Sequence, residues 1–258
     1  ATNQHGLIRM NVNQQIPEDI PLVSMRPGRL RKNMGIMSLY VDNSNMLWVG
    51  TAKSGVAYLG DNIYMFETDR IDDVTAIVED SLGNVWYGTG NSGIEGYDGP
   101  LASHKVTAMT YTKDGSLWVG SQQNGLTRIK NGQATIYSAT DDRQTRTILD
   151  NHINALTTDR LGNLWIATDA GLQLFNTRME QFSNYTKESG KLKTNRITSL
   201  YYAKNNQLLI GSAEGLQILD ISQGEAKSLT GNANSAQKFT TNYVTQVFQD
   251  SRNLIWIG

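Results

Sequence analysis

A phrase built around one tryptophan recurs along the chain and constrains the fold more than any other feature. The copies read LWVGTAKSG at 47–55, VWYGTGNSG at 85–93, LWVGSQQNG at 117–125, LWIATDAG at 164–171, LLIGSAEG at 208–215 and LIWIG at 254–258. The small residue of the phrase falls at Ala1, Gly50, Gly88, Gly120, Ala167, Gly211 and Gly258, which defines six repeats of 49, 38, 32, 47, 44 and 47 residues. A period of about 40 to 50 residues is typical of blade-like β units.

Each repeat divides into short strands. An apolar segment with Thr or Ser precedes each copy of the phrase, at 36–41, 74–79, 106–111, 153–158, 197–202 and 244–249. A turn, the tryptophan strand, a loop and a third strand follow, and most repeats add a fourth strand, as at 63–67. This pattern predicts an all-β protein, a β-propeller of four-stranded blades. The repeat from Gly88 to Gly120 is short, so we expect its outer strand to be reduced or absent.

The turn before each tryptophan strand has its own chemistry, seen in DSLGN at 80–84 and DRLGN at 159–163. Asp is expected to accept backbone N–H bonds, and Gly or Asn to supply a positive φ. These turns lack the D-x-[DN]-x-[DN]-G run of a calcium loop, so we interpret them as structural. Because all five tryptophans share one position of the repeat, which Leu209 takes in the remaining copy, we predict that they pack between adjacent blades rather than stack on sugars.

The two termini fall at complementary points of the repeat. The chain begins with third and fourth strands and ends with first and second strands, which predicts that the terminal strands share one blade of a closed ring. Six repeats are visible, so the ring is six-bladed or part of a seven-bladed ring. We interpret residues 1–258 as a single β-propeller domain. The chain begins at Ala1 without Met or signal peptide, so we expect it to be a segment of something longer.

Charge and composition exclude several function classes. The 23 Lys and Arg balance 24 Asp and Glu, which argues against a nucleic-acid partner and against contact of this segment with a membrane surface. There is no cysteine, which removes disulfides, thiolate metal sites and cysteine nucleophiles. The three histidines, His5, His104 and His152, lie in different repeats without metal-ligand spacing. We therefore expect no catalytic site, no metal and no cofactor.

The loops on the open face of the propeller are the candidate ligand-binding region, since a rigid ring holds variable loops there. Arg26 and Arg29 in the loop 26–32 fit an anionic ligand, such as a uronic acid or sulfated sugar. Arg143, Arg146 and His152 belong to the loop 141–152, and the nearby candidate aromatics include Tyr243. The alternative is that these loops are solvated and that their charges pair among themselves.

The repeat resembles the two-component regulator propeller family, whose phrase is close to D-x-x-G-N-L-W-I-G-T-x-x-G-L. Residues 159–172, DRLGNLWIATDAGL, match it nearly throughout, with Ala for Gly at Ala167. The resemblance extends over essentially the whole chain. It implies the extracytoplasmic sensor of a membrane-bound signalling protein, in most members a hybrid histidine kinase and in others a diguanylate cyclase. Family sensors usually contain two seven-bladed propellers and a small β-sandwich, so this chain would be part of a larger sensor ectodomain.

The resemblance implies a periplasmic, non-enzymatic domain of an inner-membrane receptor, and many family members respond to oligosaccharides. The expected partners are an oligosaccharide or other small ligand and a neighbouring propeller or second receptor subunit. Two alternatives remain open at this stage. One is a protein-interaction scaffold, and the other is a propeller lyase or glycosidase, which would need clustered His, Glu or metal ligands on the open face.

Overall fold

The computed structural model describes residues 7–10, 17–20, 36–42, 44, 46–52, 56–59, 63–66, 73–139, 147–228, 243–249 and 255–257. For 7–10, 17–20, 36, 57–59, 63–66 and 256 it describes the backbone alone. The first nine strands are β1 (Leu7–Met10), β2 (Pro17–Ile20), β3 (Ile36–Val41), β4 (Leu47–Thr51), β5 (Val56–Leu59), β6 (Ile63–Phe66), β7 (Val74–Glu79), β8 (Val85–Thr89) and β9 (Val106–Tyr111).

The strands of the second half follow one another in the same order of short strands. They are β10 (Leu117–Ser121), β11 (Leu126–Lys130), β12 (Gln133–Tyr137), β13 (Ile153–Thr158), β14 (Leu164–Thr168), β15 (Gly171–Asn176), β16 (Gln181–Tyr185), β17 (Ile197–Ala203), β18 (Gln207–Ser212), β19 (Gly215–Asp220), β20 (Glu225–Ser228), β21 (Val247–Gln249) and β22 (Ile255–Ile257). One 3₁₀ turn, Lys204–Asn206, joins β17 to β18.

In the described ranges these strands form four four-stranded and three two-stranded sheets. The four-stranded sheets run β3-β4-β5-β6, β9-β10-β11-β12, β13-β14-β15-β16 and β17-β18-β19-β20, each in sequence order. The first strands at 36–41, 74–79, 106–111 and 153–158 coincide with the predicted segments, so the blade pattern is confirmed. β21 begins three residues later than predicted, because Val244 instead donates its N–H to the carbonyl of Ser212 on β18.

The chain divides into two compact units. The first contains residues 1–100 and 104–109, and the second contains 101–103 and 110–258. The prediction of a single domain over 1–258 stays a prediction. The terminal pairs are β1-β2 and β21-β22, which correspond to the predicted third-and-fourth and first-and-second strands. The sharing of one blade by these pairs and the number of blades stay predictions.

The turn between the first two strands is built as its sequence predicts. Asp80 Oδ1 accepts the N–H groups of Leu82 and Asn84, both at 2.9 Å, and Gly83 has φ +84°. Asp80 Oδ2 also accepts the indole N–H of Trp86 at 3.1 Å. The same clasp joins Asp42 to Trp48 at 2.8 Å and Asp159 to Trp165 at 3.3 Å.

The clasp explains the lowered pKa values of Asp80 and Asp42. Burial raises the pKa of Asp80, but hydrogen bonds from the side chains of Asn84 and Trp86 and from two backbone N–H groups outweigh it and lower the pKa to about 2. The hydrogen bond from Trp48 lowers the pKa of Asp42. The carboxylates therefore serve the turns, as the sequence indicated.

In the second unit the tryptophans join neighbouring sheets through a dry core. Trp118 on β10 and Trp165 on β14 are fully buried. The Trp118 ring lies 5.2 Å from that of Phe175 on the next sheet, and Trp165 packs in a cluster that includes Leu219 on β19. Packing between sheets is thus confirmed for these two residues. Trp48 and Trp86 in the first unit are half-buried, and the side chain of Trp256 lies outside the described residues.

The short repeat loses more than its outer strand. β7 and β8 form a two-stranded sheet, and the segment expected as the third strand is reduced to one bridge between Gly88 and Ile94. After Glu95 the chain turns away through Gly96, whose φ is +75°. The reduction follows from length, because the residues left before β9 are too few for two further strands.

Candidate functional site

The candidate site lies in the second unit, at the edge of the β13–β16 sheet where β13 begins and β14 turns into β15. This edge and its equivalents in the other sheets are called the loop edge below. The β14–β15 turn is tight, because Thr168 donates its hydroxyl to the carbonyl of Gly171 at 2.8 Å. Gly171 has φ +136°, and a Cβ there would lie 2.9 Å from the carbonyl oxygen of Tyr185. The turn therefore presents Asp169 at its tip.

A polar cluster forms around Asp169. His152, in the loop that enters β13, places Nδ1 3.3 Å from Asp169 Oδ2. Asn154 donates through Nδ2 to Asp169 Oδ1 at 2.9 Å. Arg196, at the entry to β17 of the next sheet, places Nε 3.9 Å from the same Oδ1. We call His152, Asn154, Asp169 and Arg196 the His152 cluster.

A β-bulge allows the Asn154 side chain to contact both Asp169 and the next sheet. The register of β13 against β14 shifts between Ile153 and Ala155, so the intervening Asn154 is set out of the ladder. Its Nδ2 donates both to Asp169 and, at 2.8 Å, to the carbonyl of Ile197 on the next sheet. The cluster is thereby tied to two sheets at once.

The same bulge recurs and links other neighbouring sheets within each unit. Thr75 donates its hydroxyl to the carbonyl of Val106 at 2.7 Å, and Thr198 donates to the carbonyl of Val244. In the β3–β6 sheet the bulge residue is Met37, and the adjacent Ser38 makes the bond to Val74 instead, at 3.1 Å. This is the physical role of the Thr or Ser noted in the repeat, and it makes the strand entries at the loop edge rigid.

The exposed side chains of the cluster suit polar ligands. The His152 and Asp169 side chains are each 38% exposed, and that of Arg196 is 63% exposed. The cluster offers a carboxylate acceptor, an imidazole and a guanidinium with donors to spare, which are planar groups able to bind hydroxyls or anions. Within the described ranges no three His, Cys, Asp or Glu residues are grouped as a metal site.

The predicted site residues have different outcomes. Arg26, Arg29, Arg143 and Arg146 lie outside the described residues. His152 lies at the loop edge as predicted and contacts Asp169 across the sheet. Tyr243 is 47% exposed and precedes Val244, the residue whose carbonyl receives the Thr198 hydroxyl. No combined site of all six residues is tested.

Asn154, Asp169 and Arg196 enter the site without having been predicted as ligands. Asn154 occupies a repeat position that holds Thr in four of the other five repeats and Met37 in the fifth, and this departure from Thr was the available signal. Asp169 lies in the short turn between β14 and β15, and no sequence feature singled it out. Arg196 precedes the first strand of the next repeat, so only the packing of two sheets brings it to Asp169.

A second polar network, away from the loop edge, was missed altogether. Arg128 on β11 is only 8% exposed, with its guanidinium 5.4 Å from the Trp118 ring centre. It donates to Ser116 Oγ at 2.9 Å, to Asp114 Oδ2 at 2.7 Å and to Glu180 Oε1 on the next sheet at 2.9 Å.

The arrangement around Asp114 favours its charged form. Burial raises its pKa, but bonds from Thr112, Lys130, Arg128 and Ser116 hold the pKa below its usual range. Sheet-to-sheet ion pairing, not ligand binding, accounts for Arg128.

Comparison with known proteins identifies the repeat. Residues 100–123 and 147–170 match the model of the family described as two component regulator propeller. The second segment contains His152, Asn154 and Asp169. The resemblance read from the sequence is confirmed for these two segments. No curated protein matches the chain.

Solved structures show the fold. The chain resembles virginiamycin B lyase from Staphylococcus aureus with a TM-score of 0.67 and 14% identity, over 86% of this chain and 77% of that one. It resembles PorZ, a surface component of the type-IX secretion system of Porphyromonas gingivalis, with a TM-score of 0.63 and 18% identity, over 91% of this chain and 37% of that one. At these identities the likeness extends to the fold alone and confirms the β-propeller class.

Among the other matches are extracellular domains described as belonging to hybrid two component systems of B. thetaiotaomicron. One has a TM-score of 0.49 and 23% identity over 99% of this chain and 34% of that one. Another has a TM-score of 0.49 and 17% identity, and the present chain spans 44% of its length. In the part of the chain that the structure describes, no helix is long and apolar enough to cross a membrane.

Proposed function

We propose that this chain, which carries repeats of the two component regulator propeller family, is the ligand-sensing propeller of a two-component signalling receptor and responds to oligosaccharides. The observation that carries the proposal is the family match at 147–170, because the matched repeat contains three of the four residues of the His152 cluster. The receptor would lie in the inner membrane with this propeller in the periplasm. Histidine kinase activity would reside elsewhere in the longer protein.

The His152 cluster supports a sugar as the ligand. Sugar hydroxyls both donate and accept hydrogen bonds, and Asp169 beside His152 and Arg196 offers both functions within a few ångströms. The cluster also bridges two sheets, so a ligand bound there would hold the β13–β16 and β17–β20 sheets in one arrangement. A signal requires only that the ligand bind one arrangement of the receptor better than another. A neighbouring propeller or second receptor subunit would read that difference.

Thermal unfolding against a panel of plant and host oligosaccharides, including acidic ones, tests the proposal. A ligand at 100 times its Kd adds about 2.7 kcal/mol to the free energy of unfolding. For a domain of this size the midpoint should rise by about 5 to 10 °C. We expect one class of sugar to give a selective shift.

Two arginine variants assign the shift to the cluster. Arg196→Ala should abolish it, while Arg178→Ala is the matched control, because Arg178 is an exposed arginine in the β15–β16 turn at the opposite edge. A panel that stabilises a longer receptor ectodomain but leaves this chain unshifted would refute ligand sensing by this propeller. An equal loss of the shift in both variants would refute the role of the cluster.

A further inference from the structure

Among the described residues, the β7–β8 sheet of the first unit has no strand beside part of the outer edge of β8. Every second residue of β8 turns its N–H and carbonyl away from β7. Tyr87 and Thr89 are two of these residues, because the Tyr87 carbonyl accepts the Glu95 N–H and the Thr89 N–H donates to the Gly93 carbonyl. Val85 lies two residues before Tyr87, so the N–H and carbonyl of Val85 and the N–H of Tyr87 also point away from β7. Among the described residues none of these three groups has a hydrogen-bond partner.

The other sheets of this chain show what normally lies beside such an edge. In each four-stranded sheet, the residue before the tryptophan position of the second strand pairs with a large apolar residue on the third strand. The pairs are Leu47–Leu59, Leu117–Ile129, Leu164–Phe175 and Leu208–Leu219. Val85 occupies the same position on β8, since it pairs with Glu79 at the turn end of β7. In the described part of the chain Val85 has no third-strand residue beside it.

The third-strand side chain that would pair with Val85 would lie beside the tryptophan of the preceding sheet. Phe175, which pairs with Leu164, lies 5.2 Å from the Trp118 ring of the preceding sheet. The sheet preceding β7–β8 carries Trp48, which is half-buried although Trp118 is fully buried. Trp48, Tyr40, Val85 and Tyr87 form the half-buried rim of a small core of Val56, Val74 and Ile77. We call this rim and the open edge of β8 the β8 notch.

The two tyrosines of the β8 notch lie close enough to carboxylates to be affected by their charge. Burial and then the Glu79 carboxylate raise the pKa of Tyr40, with a smaller contribution from Asp42. Burial and then Glu95 raise the pKa of Tyr87. An occupant with a basic side chain next to its apolar anchor would therefore be favoured over an acidic one.

We propose that the β8 notch binds an extended peptide segment of a partner protein, which adds to β8 as a third, antiparallel strand. The segment places a large apolar or aromatic side chain opposite Val85 and a basic side chain near Glu95. Its main chain supplies the acceptors and the donor that Val85 and Tyr87 lack, as in other cases of strand addition to an open sheet edge. A sugar would not match this row of backbone groups, whose spacing is that of a β-ladder.

A probe peptide can be taken from the chain itself. The segment 169–178, DAGLQLFNTR, contains β15 and ends in arginine, and it would be used capped at both ends. NMR hydrogen exchange on the whole 258-residue chain would follow the amides of Val85 and Tyr87 with and without the peptide. The amides of Leu164 and Ile166, already paired with β15, are internal controls. We expect protection of Val85 and Tyr87 only when the peptide is present.

Two altered peptides test side chain and backbone separately. Replacing the phenylalanine by serine should weaken binding by about tenfold or more, because burial of an aromatic ring is lost. N-methylation of the phenylalanine amide removes the main-chain donor opposite Val85 and should weaken binding similarly. Equal affinity of all three peptides would overturn the proposal. Protection of Val85 that appears with protein concentration and no peptide would also overturn it, because a second copy of the chain would then be the occupant.

A protein variant gives an independent check. Val85→Pro removes the outward N–H without breaking a bond to β7, and it should abolish peptide binding. Val85→Ala keeps the N–H and should retain binding. If Val85→Pro unfolds, the exchange measurement on the unaltered chain still decides. Unchanged binding by a folded Val85→Pro variant would overturn strand addition.

Discussion

The small residue in each W-x-G phrase predicts a stability effect that can be worked out from the structure. Gly211 on β18 is buried, and a Cβ there would lie 2.2 Å from Ser199 Oγ and 2.7 Å from a methyl group of Val244. Its backbone is that of an ordinary strand, so Ala would bring no φ strain. The substitution Gly211→Ala therefore tests crowding alone.

The expected magnitude follows from two opposing effects. Overpacking of a buried site costs about 1 to 3 kcal/mol. Replacing Gly by Ala in an accessible conformation returns about 0.4 to 1 kcal/mol through the unfolded chain. The net loss should be about 1 to 2 kcal/mol, which lowers the unfolding midpoint of a chain of this size by about 2 to 8 °C.

A second substitution, taken from the equivalent pair of another sheet, should compensate for Gly211→Ala. In the β13–β16 sheet the equivalent position is Ala167, and it pairs with Ala155 where the β17–β20 sheet pairs Gly211 with Ser199. Ser199 Oγ is buried and has no hydrogen-bond partner among the described residues, so Ser199→Ala should itself cost little. The double variant recreates the Ala–Ala pair and should recover at least half of the loss.

Urea and thermal unfolding of the two single variants and the double variant, read as a double-mutant cycle, measure the effect. Gly90→Ala is the control, because a Cβ there would meet its nearest neighbour, the Cβ of Asp73, at an ordinary 3.6 Å. We expect a coupling energy of about 1 kcal/mol between positions 199 and 211. Additive losses, or a loss in Gly90→Ala as large as in Gly211→Ala, would refute the crowding argument.

Three further predictions concern the polar network of the second unit, the turns and the loop edge. Arg128→Met should lower the free energy of unfolding by about 2 to 4 kcal/mol, because it removes the more buried of the two cations that pair with Asp114. Lys130→Met removes the 39%-exposed cation and should cost less than about 1 kcal/mol. Equal losses in urea unfolding would contradict this. The pKa of Asp80 is about 2 in the folded chain and 3.8 ordinarily, so its contribution to the free energy of unfolding is present above a pH of about 4 and is lost as the pH falls toward 2. Asp80→Asn should lower the unfolding midpoint at pH 7, and the midpoints of the variant and the unaltered chain should converge near pH 2. A constant difference between the two midpoints across that range would count against the clasp. Asn154→Ala should cost about 1 to 3 kcal/mol for two lost bonds and increase exchange at the loop edge; unchanged exchange at Asp169 would argue against its anchoring role.

Some elements were predictable because they depend on local chemistry. The strand that begins at Val74 and the turn at Asp80 follow from alternating side chains, a capping carboxylate and a glycine with positive φ, all within a few residues of one another. The burial of Trp118 and Trp165 also followed, because a residue repeated in every sheet must serve packing common to all sheets.

The candidate site was only half predictable. His152 was named from its loop, but its partners were not, because Asp169 lies across the sheet and Arg196 belongs to the next one. The burial of Arg128 was not foreseen either, since a charged residue on a strand ordinarily faces solvent. Its position became favourable only when Asp114, Ser116 and Glu180 converged on one guanidinium.

The sequence by itself determined the repeat, the strands, the turn chemistry and the propeller class, because each repeat encodes one sheet through short-range hydrogen bonds and a side-chain period of two. Only the tertiary structure decided which sheets bring polar side chains together, why a Cβ at Gly211 would be crowded, and that no described strand pairs with the outer edge of β8 at Val85. Those features depend on the distance between neighbouring sheets. That distance is set by the packing of residues far apart in the chain, and no single repeat contains it.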